Sequence, residues 1–261
     1  MGEATPVLLE TRDARGVVTL TLNRPQAFNA LSEALIAELH AAAERLRQDE
    51  GLRAVVIAGA GRAFCAGHDL RQMRATPRQA YYEDLFARCS AMMLALHALP
   101  VPVVARVHGI ATAAGCQLVA LCDLAVASSE ARFATSGIDV GLFCATPSVT
   151  LSRNLGRKAA FEMLVTGDFI DAETACQRGL VNRVVAPAAL DAEVEALLAR
   201  ILDKPRIALE LGKALFYRQL ETGLADALGD AGRTMACNMA HETAQEGVQA
   251  FIDKRTPAWR R

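Results

Sequence analysis

The sequence predicts an α/β fold with a helical C-terminal end, and three features of the chain agree on it. Short apolar runs lead into glycine-bearing loops, helix-forming stretches follow those loops, and from Ala188 onward nearly every residue favours a helix. Val17 to Asn23 alternates as a strand does and is stopped by Arg24-Pro25, after which Ser32 offers an N-cap to a helix running towards Asp49. Arg53 to Ala58 reads as a buried strand ended by Gly59-Ala60-Gly61, with a loop continuing to about Leu70. A polar helix is expected between Pro77 and Pro100, then a strand over Val101 to Val107 leading into the small-residue segment from Gly109 to Gly115. Leu124 to Ala127 and Val181 to Val185 complete the predicted strands, and Pro187, Pro205 and Gly223 punctuate the helical end.

A chain of 261 residues that is 52% hydrophobic can bury a substantial core, which sets disorder aside. Its 28 basic and 29 acidic side chains nearly cancel, so no broad field is available to hold nucleic acid. The most apolar stretches, 101–107 and 110–128, are interrupted by Arg106 and Asp123, so no bilayer-spanning run and no membrane partner are expected. The start MGEATPVLLE lacks the features of a secretory signal, and Pro6 stands where a myristoylation motif wants Ser or Thr. Seven cysteines without a Cys-x-x-Cys pair fit reduced thiols, hence a cytoplasmic setting.

Two segments that follow predicted buried strands carry the candidate chemistry: Ala63 to Met73 (AFCAGHDLRQM) and His108 to Leu118 (HGIATAAGCQL). Small residues let a ligand approach the backbone, and Ala113-Ala114-Gly115 could open a helix whose free N–H groups suit an oxyanion, although close helix packing uses small residues equally well. A dinucleotide fingerprint at Gly59-Ala60-Gly61 is disfavoured, because Phe64 takes the third small position and no acid follows at the required distance. His40, His97, His108 and His241 show no metal-ligand spacing. Ser136 has no evident base for a hydrolase.

The order of these segments, with Asn23-Arg24-Pro25 and Asn29-Ala30-Leu31 upstream and FATSGIDVGLFCATP, Gly167 to Ala172 and the terminal Phe251, Lys254 and Arg255 downstream, resembles the enoyl-CoA hydratase/isomerase (crotonase) superfamily along nearly the entire chain. That resemblance implies a crotonase-like spiral of ββα turns over residues 1–187 and a C-terminal helical trimerisation region over 188–261, forming homotrimers or homohexamers. It implies no prosthetic group, with coenzyme A entering as part of an acyl-CoA thioester. The backbone N–H groups of His68 and Ala114 would form the oxyanion hole, a role that tolerates alanine for glycine as long as the backbone path is kept. Gln26, Phe28, Ala63, Cys65, Ala66, Gly67, Asp69 and Leu70 would line the coenzyme, with Arg24, Lys254 and Arg255 in reach of phosphate.

Both glutamates that hydratases of this kind use as acid and base are replaced, by Gln117 and Gly137, and neither replacement exchanges a proton near neutral pH. Efficient ordinary hydration is therefore not expected, and restoring Gln117→Glu with Gly137→Glu is expected to raise it. Asp139 would share the missing glutamate's face if its segment were extended. His68 offers an imidazole, and Asp69 is expected to order the glycine-rich turn. Two functions stay open: a lyase or isomerase of fatty acyl-CoA metabolism, and a non-catalytic acyl-CoA-binding regulator or assembly partner.

Overall fold

A computed structural model describes residues 5–260; the N-terminal reading of residues 1–4 lies outside them. β1 (Leu8–Arg12) and β2 (Val17–Leu22) form an antiparallel hairpin whose turn is closed by Asp13, which accepts from the N–H groups of Arg15 and Val17. Helix α1 (Glu33–Arg47) then crosses over to β3 (Ala54–Gly59), which pairs with β2 in parallel. The predicted cap is present: the Ser32 hydroxyl accepts from the Leu35 N–H at 3.2 Å.

Three strand–strand–helix turns follow. β3 leads to β4 (Ala63–Cys65), α2 (Leu70–Ala75) and α3 (Gln79–His97). β5 (Val103–Val107) leads to β6 (Ile110–Thr112) and α4 (Ala114–Leu121). β7 (Leu124–Ser128) leads to β8 (Arg132–Ala134), α5 (Ala145–Asn154) and α6 (Arg157–Thr166). The first strand of each pair joins a six-stranded sheet in the order β1-β2-β3-β5-β7-β10, closed by β10 (Arg183–Val185). The second joins a four-stranded sheet, β4-β6-β8-β9, closed by β9 (Ile170–Asp171). The first two turns end at the same level, which brings the loop after β4 beside the loop after β6.

β3 reads as an unbroken apolar run, and β5 as one broken only by Arg106, because both their faces are covered. One face meets α1, α3 and α4 in the main core around Phe64, Phe133, Leu35 and Met92. The other is covered by α8 (Leu190–Leu202), which follows α7 (Ala172–Gln177) and lays Leu190, Val194 and Leu198 on Val56, Val104 and Val126. A division at 187/188 would cut through this second cluster. The helices standing clear of the sheets are α9 (Arg206–Leu220), α10 (Leu224–Ala240) and α11 (Glu242–Ile252).

α9 is tied to the spiral by a largely buried polar knot. Lys213 Nζ donates to Asp123 at 2.7 Å and to the Val101 carbonyl at 3.0 Å, and Tyr217 donates to the other Asp123 oxygen at 2.6 Å. Its remaining surface, with α10 and α11, leaves Phe216, Leu224, Leu228, Met235 and Phe251 exposed. No helix among the described residues is long and apolar enough to cross a membrane. All seven cysteines are free, and four of them, Cys65, Cys89, Cys116 and Cys144, are buried as small hydrophobes.

Candidate active site

The loop after β4 is held by the segment Phe28 to Leu31. Ala66 donates its N–H to the Phe28 carbonyl at 3.0 Å, Leu31 donates to the Gly67 carbonyl at 2.7 Å, and Asp69 donates to the Leu31 carbonyl at 3.2 Å. Leu31 and His68 thus form a single parallel bridge, in which the residues flanking His68 face Leu31 while the N–H of His68 itself points the opposite way. Gly67 reaches this arrangement at φ +89°, a conformation that favours glycine.

The second wall is the start of α4. Ala113 takes φ 50°, ψ −121°, a region costly for any residue with a Cβ, and is anchored by donating to the Ala134 carbonyl at 3.0 Å. The chain then enters the helix, so the Ala114 N–H is one of the four that no helical carbonyl can meet. The two walls touch: a Cβ on Gly67 would lie 2.9 Å from Ala113 Cβ and 3.2 Å from the Ala114 nitrogen, and Gly115 presses on the Cys65 carbonyl. Among the described residues, neither the His68 nor the Ala114 N–H meets a protein acceptor. Two unspent donors, one at a helix N-terminus, therefore stand side by side.

A family model described as enoyl-CoA hydratase/isomerase matches residues 12–261. This chain belongs to the enoyl-CoA hydratase/isomerase family. It is 42% identical over 257 residues to a Rattus norvegicus protein named enoyl-CoA hydratase domain-containing protein 3, mitochondrial, covering 98% of this chain and 86% of that one. A Mycobacterium bovis protein named probable enoyl-CoA hydratase echA8 is 35% identical, with 96% of each chain covered. Among solved structures, an enoyl-CoA hydratase of Mycobacterium smegmatis superposes with a TM-score of 0.97 at 66% identity over 98% of this chain and all of that one. Human enoyl-CoA hydratase domain-containing protein 3 superposes at 0.93 with 40% identity, over 97% of this chain and all of that one. The crotonase fold expected from the motifs is the fold present.

Within this family member the other predicted site residues divide. Gln117 lies one turn into α4 with only 6% of its surface exposed, and its Oε1 is buried without a partner. His68 rests edge-on against Phe86 of α3, ring centroids 5.2 Å apart, and both its ring nitrogens are buried and unpartnered. Burial alone pushes its pKa down to about 4, so the imidazole is neutral at physiological pH.

Gly137 lies in a 3-10 turn, Ser136–Val140. Leu142 donates back to the Gly137 carbonyl at 2.9 Å, and a Cβ at 137 would come 2.6 Å from the Leu142 carbonyl oxygen and 2.8 Å from Cys144 Sγ. The turn corrects two expectations. The extended geometry that would have put Asp139 on the missing glutamate's face is absent, and Asp139 is exposed with its carboxylate against Gly167 at the end of α6. Nor is position 137 open to a restored glutamate without moving the turn. Ser136 shares its hydrogen bond with Thr112 at 2.8 Å, not with a base.

Two basic residues expected near phosphate are committed elsewhere. Arg24 pairs with Asp69 at 2.8 Å and donates to the Ala30 carbonyl at 2.6 Å. Arg255 pairs with both oxygens of Glu246. Asp69 meets its expected role, accepting from the Arg71 and Gln72 N–H groups to cap α2. Ala63 and Cys65 are buried in β4, whereas Leu70 and Phe28 are exposed. Arg62, which the sequence reading passed over, holds its guanidinium 4.5 Å from the Phe28 ring centroid. Its position directly before the AFCAG segment was the available signal. Phe86 gave none, since its meeting with His68 joins separate elements.

Proposed function

We propose that this chain binds an acyl-CoA thioester and holds its carbonyl oxygen between the N–H groups of His68 and Ala114, stabilising an enolate-like form. The adjacency of these two unspent donors carries the reading. Each such donor contributes roughly 10²- to 10³-fold where charge develops on oxygen, and the α4 terminus adds its dipole. Gln26, Phe28 and the backbone from Ala63 to Leu70 line the coenzyme, and the Arg62–Phe28 pair offers a flat face and a cation to an adenine nucleotide. Coenzyme A arrives as part of the substrate, and no prosthetic group is invoked.

Loss of a positioned acid or base costs about 10²- to 10⁴-fold. With an amide at Gln117 and no side chain at Gly137, the activity this site supports best is enolate chemistry or isomerisation, not fast hydration. A second reading, an acyl-CoA-binding regulator, is favoured by the closed turn at Gly137. Turnover measured on short, medium and aromatic enoyl-CoAs beside a binding titration separates the two: binding without turnover at every chain length removes the enzyme reading. Failure of any acyl-CoA to bind removes both.

The exposed apolar surface of α9, α10 and α11 supports a homotrimer or a pair of trimers, which sedimentation of the purified chain tests directly. Free thiols fit a reducing compartment such as the cytoplasm, and fractionation of the native host checks that assignment.

A further inference from the structure

Asn29 lies in the segment Phe28 to Leu31, which holds the loop carrying His68, and it is fully buried. Its backbone takes φ 55°, the left-handed region that asparagine tolerates better than most residues. Its Oδ1 accepts from the Arg24 N–H at 2.9 Å, and its Nδ2 donates to the carbonyls of Ala60 and Ala63, each at 2.8 Å. Both donors of the carboxamide and one lone pair of its oxygen are thus spent on main chain. One side chain fastens three stretches of backbone: the turn after β2, the turn after β3 and the start of β4.

These bonds link the two walls of the candidate site. The wall that carries His68 is held by Phe28 and Leu31, which pair with Ala66, Gly67 and Asp69. Arg24 adds its bonds to the Ala30 carbonyl and to Asp69, but these join the segment to the loop and would let both shift together. The Asn29 amide ties the segment to the sheets, through Ala60 just beyond β3 and Ala63 at the start of β4. β4 pairs in parallel with β6, Ala63 opposite Ile110 and Cys65 opposite Ala111, and β6 runs directly into Ala113 and Ala114. The path from one free N–H to the other therefore passes from His68 through Leu31, Asn29, Ala63 and Ile110 to Ala114. A buried polar side chain with its donors all engaged is a rigid member of such a path, and a misplacement of about 1 Å is enough to cost a site much of its effect.

We infer that Asn29 is a positioning residue: its carboxamide fixes where the His68 N–H stands relative to the Ala114 N–H. Replacing it should then weaken recognition of a thioester carbonyl more than recognition of the rest of an acyl-CoA. Asn29 touches no ligand itself and acts only through Leu31 and β4. The inference rests on the acyl-CoA reading given above.

The test is calorimetric titration of the whole chain with butyryl-CoA and with S-butyl-CoA, the thioether that has a methylene in place of the carbonyl. The wild type should bind the thioester about tenfold more tightly, the yield of hydrogen bonds to the carbonyl oxygen. In Asn29→Ala the ratio should fall to about twofold or less. Asn29→Asp keeps the shape and the bond to Arg24 but offers at most one donor, and should lower the ratio to about threefold. A variant that weakens both ligands equally and keeps the wild-type ratio overturns the inference, because Asn29 then serves the fold alone. Equal binding of the two ligands by the wild type removes the carbonyl contact itself, so the acyl-CoA reading falls and takes the inference with it. Amide hydrogen exchange of the wild type decides the matter if neither variant folds. The Leu31, Ala66 and Asp69 amides should be as protected as those of β4 and β6, and exchange more than about tenfold faster would show that the loop is not fixed to the sheet.

Discussion

Leu142 folds back over Gly137, donating its N–H to the Gly137 carbonyl at 2.9 Å while its own carbonyl oxygen occupies the space where a side chain at 137 would begin. The path of the turn itself leaves no room for a side chain at 137. Gly137→Glu is accordingly expected to destabilise the protein by roughly 1–3 kcal/mol through overpacking, read as a lower urea midpoint at unchanged slope. The double change with Gln117→Glu should not yield a fast hydratase. A large rise in crotonyl-CoA hydration by the double variant, with the fold intact, would show that the turn opens readily.

Ala113 and Gly67 press together at the candidate site, both at positive φ, yet only one of them is glycine. Ala113→Gly removes a Cβ from a conformation that costs about 1–3 kcal/mol, set against roughly 0.5–1 kcal/mol of added chain entropy. A net stabilisation of about 1 kcal/mol should raise the melting temperature by about 2–4 °C, with acyl-CoA binding retained. The reverse change, Gly67→Ala, should lower stability and weaken binding together, because its new Cβ would approach the Ala114 nitrogen to 3.2 Å. A Gly67→Ala protein that binds normally would contradict the placement of the hole.

His68 is buried in its neutral form, with its pKa lowered to about 4, so between that value and the ordinary value of about 6.5 the unfolded chain binds the extra proton. Its contribution to stability is full above about 6.5 and is lost as pH falls towards 4. His68→Phe should flatten that part of the stability profile, measured as urea midpoints at intervals of pH. An unchanged slope would mean that the ring is hydrated in solution.

Asp69 loses stability to acid through a different cause. Burial by itself would raise its pKa, but the Arg24 hydrogen bond and charge and the N–H groups of Gln72 and Arg71 outweigh it and hold the carboxyl below its usual value. A depressed carboxylate stabilises above its unfolded pKa, and the contribution disappears as pH drops through the folded one. Asp69→Asn should cost about 1–3 kcal/mol at neutral pH, by weakening the cap on α2 and stranding the largely buried Arg24. The penalty should shrink in acid, which denaturant titration at both extremes would reveal. A constant penalty would point to packing in place of charge.

Much of the fold was legible along the chain. The helix capped by Ser32, the polar helix before Pro100 and the apolar strands over 53–58, 101–107 and 124–127 lie within a few residues of their predicted limits, since hydrophobic period and capping act locally. The second strand of each turn was not legible. β4, β6 and β8 are three residues long, too short for periodicity to register, and they exist because they pair with one another across the spiral. The small-residue segments marked the two loops that meet at the candidate site for a similar local reason, in that backbones that approach closely cannot carry bulk.

What the sequence determined by itself was the set of elements and the two loops of small residues, because each is a property of a residue and its near neighbours. Tertiary structure alone decided which donors stand unspent, that Arg24 belongs to Asp69 and Arg255 to Glu246, that Asp139 faces Gly167, and that Gln117 and His68 are buried without partners. These are distances between residues far apart in the chain, and whether a polar group is satisfied depends on everything that surrounds it in space.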